Sequence, residues 1–198
     1  AYPEELTGNE AVVYYNKACS VCMSYIEDRL EPILDSEGIE LVEKDYLNDP
    51  DTRGEMNSRN ENRGVPPELQ SHLAAFVGQS FIFQGHVPAS MLKTLLGGEL
   101  EGVEKLLIYQ DEMKDPSSYK AWAFRGEPRK YPIDVSISDY LSWFRKNKNS
   151  LNPVQEEREE NPMRLLSMVL LTGFLDGINP CAIAVLLFFI ALLFSLNR

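Results

Sequence analysis

AVVYYNKACSVC, residues Ala11–Cys22, is the stretch on which the fold turns. Ala11–Tyr15 is an uncharged run of β-branched and aromatic residues and reads as a buried strand. Asn16–Cys22 turns the chain into a helix. Met23–Leu34 then places Ile26, Leu30, Ile33 and Leu34 at i, i+4, i+7 and i+8, one apolar helical face. Gly38 stands where a left-handed residue commonly closes a helix. Ile39–Val42 follows as a second strand. Two strands joined by a helix imply a parallel pair with a right-handed crossover.

Further along, Asn48–Asn62 is polar and predicts a helix starting near Pro50. Gly64-Val65-Pro66-Pro67 is a rigid breaker. Leu73–Val77 and Phe81–Gln84 read as two strands around a turn at Gly78. Val87-Pro88 opens a helix over Ala89–Leu96, which Gly97-Gly98 stops. The order is βαβ followed by ββα, an α/β sheet with helices on both faces. Glu99–Tyr109 predicts one more short element. Gln110–Ser150 holds both tryptophans, Trp122 and Trp143, and only Ile137–Phe144 shows an amphipathic pattern there. Asn152–Asn161 (NPVQEEREEN) reads as a charged linker.

The chain has 198 residues and a formal net charge of −11. Residues 1–110 carry 8 Lys/Arg against 19 Asp/Glu, so the acidity sits entirely on that segment. Such a surface makes nucleic acid a poor partner. The average hydropathy conceals a second kind of segment. From Leu165 to Leu196 the only charge is Asp176. A helix of that length would span about 48 Å, more than the roughly 30 Å of bilayer hydrocarbon. The expectation is therefore three parts: a domain over 1–110, an extension and linker over 111–162, and a transmembrane segment over 163–198. Asp176-Gly177 and Asn179-Pro180 break that run, so a C-terminal transmembrane helix broken at Asn-Pro is expected. Starting at Ala1 and stopping just past the apolar run, the chain reads as a piece of something longer. Acidic Glu156–Glu160 before the span and Arg198 after it favour a soluble domain outside the cytoplasm, with Arg164 opposing that orientation.

Chemistry concentrates at Cys19-Ser20-Val21-Cys22, directly after the first strand and at the start of the first helix. Spacing i, i+3 puts both sulfurs on one helix face, within reach of a disulfide. Unpaired N–H groups at a helix start stabilise a thiolate. Cys19, nearer that end, is the expected attacking thiolate, and Cys22 the resolving one. Lys17 stands close in sequence. Two plainer readings compete. A zinc site needs four ligands, and the chain offers only His72 and His86 beside the pair; a structural staple needs no reactivity. His86, alone in sequence, reads as shaping the turn into the last helix.

With AVVYYNKACSVC, the amphipathic helix, the second strand and the Val-Pro before a hairpin and helix, the segment Ala11–Leu96 resembles the thioredoxin superfamily. That resemblance implies thiol–disulfide exchange through Cys19 and Cys22 on oxidised client proteins. It assigns Val65 and Pro66 to holding the client backbone, as the residue before a proline and the proline facing the sulfur pair. Here Pro67–His72 intervenes before the next strand, which the superfamily pattern lacks. Gly64–Pro88 also resembles a family of small bacterial domains read as metal-related, with Ser71-His72-Leu73-Ala74 where they carry Ser-Cys-His-Thr; the cysteine is missing here. The stretch Asn179-Pro180-Cys181 resembles the first membrane helix of the CcdA and DsbD family of cytochrome c biogenesis and disulfide-reductant conveyors. That resemblance implies that Cys181 pairs with a cysteine in the remaining transmembrane domain, beyond this chain, and passes electrons from cytoplasmic thioredoxin to Cys19 and Cys22. No dissociable cofactor is required. The competing expectation is an extracytoplasmic module in which Cys19, Cys22 and Met23 take copper or another soft metal.

Overall fold

A computed structural model describes residues 5–98, 102–153, 189–190 and 192–195. Residues 1–154 make one compact unit and residues 155–198 a second. Strand β1 (Glu10–Tyr15) is buried along nearly its whole length, as its uninterrupted apolar run requires of a strand covered on both faces. It pairs in parallel with β2 (Glu40–Asp45), Ala11 opposite Leu41 and Tyr14 opposite Lys44. Its other neighbour is β3 (Ala74–Val77), antiparallel, which forms a hairpin with β4 (Phe81–Gly85). The sheet continues through β5 (Leu106–Gln110), β6 (Ser118–Trp122) and β7 (Arg129–Pro132), in spatial order β2-β1-β3-β4-β5-β6-β7. Parallel pairing of β4 with β5 is made possible by the crossover helix α4 (Ala89–Leu96).

Between β1 and β2 the chain is helical from Ser20 to Ser36, in three consecutive pieces. These are α1 (Ser20–Tyr25), a wider π turn over Ile26–Leu30, and α2 (Glu31–Ser36). In the widened turn the Glu31 N–H reaches back to the Ile26 carbonyl. It sits directly before Pro32, whose ring and missing N–H do not fit a regular helix above the Asp28 carbonyl. The predicted apolar stripe is buried: Ile26, Leu30 and Leu34 are wholly inaccessible and Ile33 nearly so. They join Ala11, Val13 and Tyr15 in the larger core cluster, with Leu92 and Leu95 of α4. Alternate residues of β1, Val12 and Tyr14, face the other cluster with Phe76 and Ile82, under α3 (Pro50–Asn62). Helices therefore lie on both faces of the sheet.

The region that lacked a sequence motif completes this sheet. Tyr119 of β6 stacks on Tyr131 of β7. Helix α5 (Ile137–Asn147) starts at Ser136, whose hydroxyl accepts from the Ser138 N–H. It buries Ile137, Tyr140, Leu141 and Phe144 in the larger cluster. The Tyr140 hydroxyl accepts from the Ala123 N–H at 2.7 Å, which ties the helix to the end of β6.

Two expectations are corrected. The fold class was to include a C-terminal membrane-spanning helix, but no helix among the described residues is long and apolar enough to cross a membrane. A span needs about 20 consecutive residues. The described C-terminal helical residues are 189–190 and 192–195, with Phe189, Leu193 and Phe194 exposed. What is described instead is a mixed α/β fold around seven strands. The membrane location, with its extracytoplasmic orientation, loses its structural basis for the same reason. The Asn179-Pro180 break and Cys181 lie outside the described residues.

Candidate functional site

The ends of four strands and one helix start meet at one end of the sheet. β1 runs out at Tyr15, and Tyr14 pairs with Ala74, the first residue of β3. Ala74 in turn pairs with Gln84, and Gly85 pairs with Gln110 at the end of β5. The residues just before β3 (Ser71, His72), just after β4 (His86) and just after β5 (Asp111) therefore emerge beside the loop that carries Cys19. Gly85 makes this convergence close. Its φ is +80°, and a Cβ there would lie 2.0 Å from the Gln110 carbonyl oxygen. Its N–H donates to the Leu73 carbonyl, and the following His86 N–H donates to that same Gln110 oxygen, each at 2.7 Å.

Cys19 and Cys22 form a disulfide, with Cα atoms 5.3 Å apart. The sequence shapes their loop locally. The Asn16 side chain accepts from the Ala18 N–H, and the Asn16 carbonyl accepts from the Cys19 N–H. Asp45, at the end of β2, accepts from the Lys17 and Leu47 N–H groups and pins the loop to the neighbouring strand. Cys19 is the N-cap of α1, and its sulfur accepts from the Cys22 N–H at 3.2 Å. Cys19 is partly exposed, whereas Cys22 is completely buried.

His72 is the residue that sequence reasoning left without a role. A ligand atom of its ring, Cys19 Sγ and Cys22 Sγ all lie within 4.8 Å of one another. Its Nδ1 is 3.1 Å from Asp111 Oδ1 and 3.3 Å from Ser71 Oγ. The Ser71 hydroxyl itself donates to Asp111. The Ser71 N–H donates to Gln84 Oε1, and Gln84 Nε2 donates to Asn60 Oδ1. Asn60 and Gln84 are both fully buried, so a polar chain crosses the sheet from α3 to the sulfur site. The Tyr46 hydroxyl holds the His72 carbonyl at 2.6 Å. His86 lies behind His72, with ring centroids 5.3 Å apart, and presents its ring to the edge of Tyr25. Burial, and then the neighbouring His72, push the His86 pKa below the usual histidine range. Burial also raises that of Tyr25, whose hydroxyl donates to the Val87 carbonyl.

Donor atoms of Cys19, Cys22 and His72 at this spacing could hold a metal only as thiolates. The sulfur–sulfur bond removes both thiolates, which leaves an imidazole facing a disulfide. Val65 stands elsewhere. Val65 is buried in the cluster beneath α3, on the sheet face opposite Cys22. Its N–H donates to the Asn60 carbonyl, and its own carbonyl accepts from Gln70 Nε2. Pro66 leads into a short 3-10 turn over Pro67–Leu69. No cis peptide bond occurs among the described residues. On that same face, an open groove of about 1080 Å³ between α3 and the outer strands is lined by Glu10, Glu40, Lys44 and Glu55, and it reaches neither sulfur.

A CxxC disulfide at a helix start beside a mixed sheet with helices on both faces is an arrangement compatible with a thioredoxin-like fold. No protein-family profile matches the chain, and no curated protein matches it. A solved structure described as copper resistance protein CopG, form 1, aligns with 65% of this chain and 99% of its own, at 18% identity and a TM-score of 0.39. That likeness is too loose to fix a family or a ligand.

Proposed function

We propose that this protein is a thiol–disulfide oxidoreductase, which exchanges electrons with disulfides of client proteins through Cys19 and Cys22. The observation that carries this reading is the closed pair itself, with one sulfur reachable and the other enclosed. A reachable sulfur can attack a client disulfide, and an enclosed one is kept for the mixed disulfide that forms next. Clients are expected to approach from the Cys19 side, where Ser20 and Val21 are exposed.

Substituting Cys22→Ser removes the resolving sulfur. The expected outcome is a protein that accumulates mixed disulfides through Cys19 when mixed with an oxidised protein substrate, while Cys19→Ser accumulates none. A pair that resists dithiothreitol, or equilibrates below about −300 mV against a glutathione or dithiothreitol buffer, is a staple and overturns the proposal. So does stoichiometric Cu(I) uptake by a reduced protein whose thiols prove inert to disulfides, which is the behaviour of a metal module.

A further inference from the structure

We infer that His72, oriented by Asp111, is the proton acceptor that activates Cys22; this rests on the redox reading above and names the acid–base group of that same site. A carboxylate only accepts hydrogen bonds, so Asp111 Oδ1 at 3.1 Å fixes the proton of His72 on Nδ1. In the neutral ring the lone pair is then on Nε2, which is buried and has no hydrogen-bond partner among the described residues. An unsatisfied buried nitrogen costs stability and calls for an explanation, of which a catalytic role is one. Here the ring that carries it lies within 4.8 Å of two sulfurs.

The need for such a group follows from the burial of Cys22. An enclosed thiol resists ionisation, so its proton has to be removed as it attacks. Cys19, ionised to solvent, attacks one sulfur of the client disulfide. A Cys19–client bond forms, the client bond breaks, and the departing thiolate takes a proton from water. Cys22 then gives its proton to His72 Nε2, and its sulfur attacks Cys19 Sγ. The Cys19–Cys22 bond forms as the second client thiolate leaves, and His72 returns its proton to that thiolate through solvent. Two electrons pass from the pair to the client. Charged and titratable groups facing His72 are Asp111 after β5, His86 after β4 and the two sulfurs. Tyr25 and Arg29 stand on the helical side near His86, and Tyr46 after β2 bonds the His72 carbonyl.

The test uses the full chain, reduced, with a chelator present, and dithiobis-nitrobenzoate as the disulfide. The first thiolate released reports attack by Cys19, and the second reports displacement by Cys22. His72→Gln is expected to leave the first release close to wild type. It should slow the second about a hundredfold at neutral pH. That deficit should narrow as the pH rises above the ordinary thiol value of about 8.5 and hydroxide increasingly replaces His72 as the proton acceptor. Asp111→Asn should show a smaller deficit of the same pH shape, and it carries the test alone if His72→Gln does not fold. A second release unchanged in both variants, or slowed equally at every pH, overturns the role of His72. A wild-type protein that releases no thiolate overturns the redox reading instead.

Discussion

On one face of β1, Ala11, Val13 and Tyr15 pack with Ile26, Leu30 and Leu34 in a cluster built of apolar and aromatic side chains. On the other, Tyr14 sits at the centre of a polar network. Its hydroxyl donates to Glu55 at 2.7 Å and accepts from Arg59 Nε at 2.9 Å, while Lys44 donates to both Glu55 oxygens. Helix α3 supplies Glu55 and Arg59, and few of its residues are apolar. The difference shows two ways of holding a helix to a sheet. Removed apolar area fixes the α1–α2 side without regard to direction. Directed hydrogen bonds fix α3 at one distance and register, and α3 is the element from which the polar chain Asn60–Gln84–Ser71 leaves for the sulfur site.

The comparison breaks most readily on the apolar side. Leu34→Ala removes a side chain with no exposure. It should cost about 2–5 kcal/mol, measured by urea unfolding of the oxidised protein. A loss below ~1 kcal/mol would mean that the α2 packing contributes little. Tyr14→Phe keeps the ring and deletes only the hydroxyl that links Glu55 to Arg59. The expected loss is smaller, about 1–2 kcal/mol. The Glu55 carboxyl should also titrate higher in the variant. Burial alone would raise it, but hydrogen bonds from Lys44 and Tyr14 hold it below the usual range. A carboxyl NMR titration that does not move on loss of the hydroxyl would remove Tyr14 from the network.

The smallest effect is a slope against pH. Unfolded, His86 titrates near 6.5. Folded, burial holds it lower. Between those values the unfolded chain binds the proton and the folded one does not. The stability from neutral His86 is therefore complete above about pH 6.5 and is lost progressively as the pH falls below it. Thermal midpoints from pH 7.5 down to 5.5 should decline less steeply in His86→Leu than in wild type. Parallel declines would show that His86 has no part in the acid side of the curve.

Much of this architecture is legible in the chain because its signals are local. Ala11–Tyr15 needed only five consecutive apolar residues, and Met23–Leu34 only its period. Gly38 and Gly78, both at positive φ, mark their turns in the sequence. Strands β6 and β7 were not legible. Arg129–Pro132 is exposed and contains a proline, and it is a strand because Tyr119 and β6 are there to pair with it. At the site, the Cys19–Cys22 spacing announced itself. Ser71 and Asp111 are 40 residues apart and meet only because β3 and β5 flank β4. The clue available was topological: the residue before β3 comes out next to the start of α1. Val65 and Pro66 were assigned through the thioredoxin resemblance; six residues, Pro67–His72, separate them from β3, and Val65 is buried in the cluster beneath α3.

Among the described residues the seven-stranded sheet ends in two rims, β2 and β7, with no further strand beside them. Glu40 and Glu43 are exposed on the β2 rim, and Arg129, Lys130 and Pro132 on the β7 rim. Two copies aligning like rim to like rim would bring equal charges together, and Pro132 has no N–H to offer a further strand. Charge thus opposes pairing of two β2 rims beside the exposed Val42, and Pro132 interrupts the ladder at the β7 rim.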